Sequence, residues 1–260
     1  MTAMIASRNW SLRRALIGRR TLPALFISLL PALIVAIGAW AGAWDGERDA
    51  FTDFGFSIAP LCLYFVLPML CMFTVLPTVG ELYESGSISY LWTRPSPRWK
   101  ILLGIHQGSL LAFLALTAIG ISANALIMAT ADSNSPASTG DWISRAFGLW
   151  AVMGVGAATY GAVCLLFAVW SKRSALWSIG LLIGWGAIVG ALPGSLRNTS
   201  PHRYLFGLLR DWCGIKNVQE GFFVPDASPP STFLSLTALL VVMIFALWLS
   251  TMAAKNRDVL

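Results

Sequence analysis

Glu81 and Glu84, then a Gly86-Ser87 step, then Arg94 and Arg98 form the charged group in this 260-residue chain whose residue types and spacing suit a mechanical task. Ile88, Leu91 and Trp92 lie between them at i, i+3 and i+4, one helical face, and Arg94-Pro95 with Pro97-Arg98 ends the element. An amphipathic, charged stretch of this kind between two apolar spans is a surface for docking another protein. The carboxylates can pair with Arg13, Arg14 or Arg98. An exposed bridge contributes at most about 1 kcal/mol, so such a pair is either a rigid lever or a plain solvated contact. Other chemistry is sparse. The chain has two histidines, His106 and His202, expected at different membrane faces, and it contains no H-E-x-x-H, C-x-x-C or G-x-S-x-G. No Gly-Lys dipeptide occurs, so the phosphate-cradling loop of an ATPase is absent. The chain is therefore expected not to be an enzyme, and to bind no metal and no cofactor of its own.

The elements that must position these residues are membrane helices. Hydrophobic residues make up 57% of the chain and charged residues 12%, about half the share of an ordinary soluble domain, and the mean hydropathy is +0.70. Runs near the roughly 20 residues needed to cross a bilayer occur at 22–43, 57–79, 101–130, 143–170, 175–196 and 232–254. The expected fold is all-α, a polytopic integral membrane protein of six transmembrane helices, with a cytoplasmic coupling helix (81–98) between helices 2 and 3. Residues 1–21 form a basic segment and 22–260 a single membrane domain. Continuous rather than alternating apolarity excludes a barrel.

Twelve of the eighteen Lys and Arg residues fall on one side of that layout: Arg8, Arg13, Arg14, Arg19, Arg20, Arg94, Arg98, Lys100, Lys172, Arg173, Lys255 and Arg257. By the positive-inside rule that side is cytoplasmic and holds both termini. The net charge of +6 therefore reports orientation, and no nucleic-acid partner is expected. The first apolar run is too long for a signal-peptide core, which favours an uncleaved helix. Residues 1–21 read either as a helix lying at the membrane interface or as a simple basic stop before the first span. Cys62, Cys71, Cys164 and Cys213 read as small buried hydrophobes.

Within the fifth span Gly186, Gly190 and Gly194 recur at i+4, a small-residue stripe for close packing inside the protomer or across a dimer. Pro23, Pro31, Pro60, Pro68, Pro77 and Pro193 cap or kink their helices. The outer segment 198–231 is too apolar for a free loop and reads as a lid or an interfacial anchor. Asn124 is an amide within a span, either helix glue or cavity lining. Phe65, Phe73, Trp150, Trp170, Trp177 and Trp185 offer aromatic walls.

The order acid, Gly-Ser, apolar turn and Pro-x-x-Arg, here Glu81, Gly86-Ser87, Ile88 to Trp92 and Pro95 to Arg98, resembles the membrane permease subunits of type 2 ABC transporters. Ser87 stands where that pattern has threonine and keeps the hydroxyl; near Ile105, where it often has lysine, this chain has His106-Gln107. The resemblance implies an exporter subunit in the inner membrane of a prokaryote, working by alternating access on a hydrophobic or amphiphilic cargo. It implies as partners two copies of a separate ABC ATPase carrying ATP and Mg, a second permease protomer, identical or homologous, and the lipid bilayer. It places ATPase coupling at Glu81, Glu84, Gly86, Ser87, Leu91, Arg94, Pro95 and Arg98, a connecting helix at Arg13 and Arg14, and the dimer near the Gly186 stripe. The alternative is a non-transporting subunit that receives force from an ATPase.

Overall fold

The computed structural model describes residues 2–18, 21–42, 50–84, 97–131, 137–171, 173–185, 198–214 and 230–256, and their regular elements are helical. We label them α1 (Thr2–Ile17), α2 (Thr21–Trp40), α3 (the helical run 50–84), α4 (Arg98–Ala131), α5 (Thr139–Trp170), α6 (174–185), α7 (Pro201–Cys213) and α8 (Thr232–Asn256). Among the described residues five helices are long and apolar enough to cross a membrane: Thr21–Trp40, Ala59–Gly80, Arg98–Ala131, Thr139–Trp170 and Thr232–Lys255. The expected fifth span, 175–196, is described only to Trp185, where Ser174–Ile179 is α-helical and Gly180–Trp185 is π-helical.

The helix α3 starts earlier than its apolar run, at Ala50, and contains two π-helical stretches, Phe54–Ile58 and Cys62–Val66. Each ends two residues before a proline, Pro60 or Pro68. The residue between closes a wide turn, Ala59 N–H to Phe54 carbonyl and Leu67 N–H to Cys62 carbonyl. A proline lacks the donor for its i−4 carbonyl and crowds it, so widening the preceding turn relieves both problems without breaking the helix. The early start is held by α5. The Phe51 and Phe54 rings meet Trp142 edge-on at 5.2 and 5.9 Å, and the Arg145 guanidinium lies 3.3 Å from the Phe51 ring centre while donating to the Phe51 carbonyl.

Side-chain pairs fix the helix directions. Gly154 and Trp150 of α5 meet Leu114 of α4, and Gly161 meets His106, so α4 and α5 are antiparallel. Phe51 lies at Trp142 and Leu67 at Gly156, so α3 runs with α5. Thr159 meets Leu239, and 166–170 face 249–253, so α8 also runs with α5. Two consecutive long helices pointing the same way require the chain between them to return across the bundle. Part of that return is α7, whose His202 lies at Tyr160, Leu205 at Gly156 and Cys213 at Gly148, antiparallel to the middle of α5. Gly214, at φ +64°, ends α7 in a left-handed turn.

The core sits on α3 and α5, each with 67% of its most apolar stretch buried, against 28% for α2 and 17% for α8. Large side chains of the outer helices, such as Phe26, Ile37, Phe233 and Phe245, point away from the bundle. In lipid those faces lose nothing by exposure, and helices associate through packing and hydrogen bonds.

Candidate functional site

The end of the bundle where α4 begins gathers α1, the last turn of α3 and the last turn of α8. The sequence has glycine at 104 and 108 of α4 and serine at 7 and 11 of α1, both at i+4, and these stripes face each other. A Cβ on Gly104 would strike Ser7 and the Met4 carbonyl, and one on Gly108 would strike the Arg8 carbonyl and lie 2.8 Å from Ser11 Cβ. Without those Cβ atoms the backbones approach closely enough for the buried Ser11 hydroxyl to donate to the Ile105 carbonyl (3.1 Å) and to share a hydrogen bond with Ser109 (3.1 Å). The Thr74 carbonyl of α3, 3.4 Å from Ser109 Oγ, is an alternative acceptor for the single Ser109 proton. The basic N-terminal segment is therefore a helix packed lengthwise on α4. The same device recurs in α2, where Ser28 donates to the Leu116 carbonyl (2.6 Å) beside Gly120.

Arg98, expected as the stop of the coupling helix, is the first residue of α4. Its guanidinium donates to the Ala254 carbonyl (2.6 Å) and the Lys255 carbonyl (3.4 Å) of α8. Those carbonyls belong to the last turn of a helix, where no intrahelical donor remains and the helix dipole favours a cation. Glu81 and Glu84 lie in the last turn of α3; their side chains, with Gly86, Ser87, Leu91, Arg94 and Pro95 and the stripe Gly186, Gly190 and Gly194, lie outside the described residues. Arg13 and Arg14 are exposed on α1, with the Arg14 guanidinium 5.2 Å from the Trp10 ring centre.

Two grooves flank the last turns of α8. One, of about 530 Å³, lies against α5 and is lined by Leu166, Phe167, Val169, Trp170, Leu249, Met252 and Ala253. The other, of about 360 Å³, lies against α4 and is lined by Trp99, Leu102, Leu103, Leu247, Trp248, Ser250, Thr251, Met252 and Lys255.

No known family profile matches the sequence. A 115-residue stretch is 31% identical to "Probable ABC transporter permease protein NosY" of Stutzerimonas stutzeri, covering 43% of this chain and 42% of that protein. The chain thus matches less than half the length of the curated relative. With five long apolar helices among its described residues it is an integral membrane protein with a partial likeness to an ABC permease.

Deeper in the bundle the two histidines are not segregated to separate faces. His202 of α7 and His106 of α4 meet consecutive residues of α5, Tyr160 and Gly161. The Tyr160 hydroxyl and His202 Nδ1 are 2.9 Å apart, and the His202 ring stacks on Tyr64 at 4.6 Å, beside the π-helical stretch Cys62–Val66. His106 is buried, and its Nδ1 has no hydrogen-bond partner. Asn124 is buried with Oδ1 unpaired. In the segment 198–231 the described helix α7 buries Leu205, Phe206, Leu208 and Leu209, with Leu205 packed at Gly156 of α5.

Of the six aromatic residues offered as walls, Trp150 is a packing residue whose indole donates to the Leu114 carbonyl (3.0 Å), and the Trp185 side chain lies outside the described residues. Phe65, Phe73, Trp170 and Trp177 are exposed on the outside of the bundle. All four cysteines are free and buried. The Ser7/Ser11 and Gly104/Gly108 stripes were legible as i+4 spacing of small residues. The Arg98 cap had no local signal, since its acceptors lie 156 and 157 residues away.

Proposed function

We propose that this chain is the permease subunit of an ATP-driven ABC transporter, and the observation that carries the proposal is its 115-residue likeness to the NosY permease. Two copies of a separate ATPase, carrying ATP and Mg, dock on the segment 81–98 of two permease protomers, identical or homologous. The chain itself is not an enzyme and holds no cofactor. Positive-inside orientation puts the basic end, with both termini, in the cytoplasm of a prokaryote and the helices in its inner membrane.

The contacts at that end support a reading in which motion is transmitted between helices. Closure of the ATPases pushes the segment 81–98, whose two ends are the last turn of α3 and Arg98. Arg98 passes the displacement to α8 through the Ala254 and Lys255 carbonyls, and the Ser11 hydrogen bonds make α1 move with α4. Rigid tilting of α3, α4 and α8 against α5 then alternates access between the two sides. Export of a hydrophobic or amphiphilic cargo is the direction and substrate class we assign.

The test is purification of the full chain in mild detergent from its native membrane, with mass spectrometry of co-purifying proteins and an ATPase assay. A stoichiometric ATPase subunit that is lost or uncoupled by Arg94→Glu supports the reading. Reproducible absence of a nucleotide-binding partner overturns it.

A further inference from the structure

The two grooves beside α8 differ in chemistry. The one against α5 is apolar in its lining, whereas the one against α4 carries a cation at its rim, Lys255, and a second beside it, the Lys100 ammonium 5.5 Å from the centre of the Trp99 ring that forms one wall. Trp99 and Trp248 are each 50% exposed; Trp99 is the second residue of α4, at the helix end where a half-exposed indole settles at headgroup level, whereas Trp248 lies about two turns in from the end of α8. Below Trp99 the groove is closed by Leu102, Leu103, Leu247 and the Trp248 ring. Apolar floor, the Trp99 indole and the ammonium rim follow in the order of acyl chain, glycerol and phosphate along a phospholipid.

We propose that this α4–α8 groove is a binding site for one anionic phospholipid, with an acyl chain against Leu102, Leu103 and Leu247 and the phosphate between Lys100 and Lys255. A zwitterionic lipid offers its phosphate behind a competing cation, so the two ammonium groups favour a headgroup of net negative charge. The bound lipid fills the space that α4 and α8 leave beside their Arg98 link, so it supports the packing of the same two helices. The inference rests on α4 and α8 being membrane-embedded and not on the ATPase partnership, so its failure leaves the proposed function standing.

The test uses the full chain in phosphatidylcholine vesicles doped with brominated phosphatidylglycerol or, in parallel, brominated phosphatidylcholine. The signal is tryptophan fluorescence, with the groove component isolated as the difference between the natural chain and a Trp99→Phe/Trp248→Phe variant. The expected result is quenching of that component at an about fivefold or more lower mole fraction of the anionic lipid. In Lys100→Gln/Lys255→Gln the preference disappears while helicity and melting temperature stay within those of the natural chain. Equal quenching by both lipids, a preference that survives the lysine changes, or quenching by neither lipid, as when a second copy of the chain fills the groove, each overturns the proposal. If the double variant does not fold, single Lys255→Gln carries the test, with a partial loss of preference expected and no change overturning the proposal.

Discussion

Single side chains in this bundle matter most where they satisfy polar groups that lipid cannot. Arg98 meets the terminal carbonyls of α8, and hydrogen bonds made by a charged donor contribute more than neutral ones. Arg98→Ala is expected to cost about 1.5–3 kcal/mol and to loosen α8, read as a lower melting temperature in detergent and faster amide exchange confined to the last turn of α8. The buried Tyr160–His202 pair makes a second case. Tyr160→Phe leaves His202 Nδ1 without that partner, for an expected loss of about 1–3 kcal/mol measured by the same melt. A loss no larger than that of an exposed Phe65→Leu control would show that the pair contributes little. Neither role was legible locally, because the partners lie 156 residues from Arg98 and 42 residues from Tyr160 in the sequence.

At the scale of elements, the contact of α1 with α4 decides how the basic N-terminal segment is used. Gly108→Leu places a branched side chain where a single Cβ already lies 2.8 Å from Ser11 Cβ. The two helices must separate, at a cost of about 1–3 kcal/mol or more. The expected readout is new protease cleavage within α1, while Ser11→Ala, which removes hydrogen bonds but leaves the close approach, keeps α1 protected and costs about 1 kcal/mol. If both variants stay protected, the packing of α1 does not depend on the glycine stripe. The two π-helical stretches of α3 belong to this scale too, since Pro60 and Pro68 sit at the same offset from them. Pro68→Ala is expected to restore regular i−4 bonding around Cys62–Val66 and shift Tyr64 relative to His202, a change detectable as altered near-ultraviolet circular dichroism.

At the scale of the molecule, the directions of the helices constrain the topology. α1 lies beside the start of α4, the end of α8 is bonded to that same start, and α5 and α8 run in one direction. The described parts of both chain ends therefore lie at one end of the bundle. An even number of crossings is expected although five described helices are long and apolar enough to span. Cysteine labels near Arg13 and Lys255 should be protected or accessible together in sealed inverted vesicles, and labelling from opposite sides would refute this topology.

Composition and periodicity alone determined that the chain is helical and membrane-embedded, and nearly where its apolar runs lie, because the need to satisfy every backbone group within hydrocarbon makes long apolar runs into helices whatever surrounds them. They also marked 81–98 as the charged connector, since a charge cluster between two spans is visible without any partner. Tertiary structure decided what local pattern leaves degenerate. It set α1 on α4, made Arg98 the cap of a helix 156 residues away, brought His106 and His202 to one turn of α5, and packed α7 against α5. Each of these depends on which small residue or free carbonyl faces which helix. That pairing is set by long-range packing, where many registers of apolar helices are similar in hydropathy and differ only in the fit of a few Gly, Ser and Arg side chains.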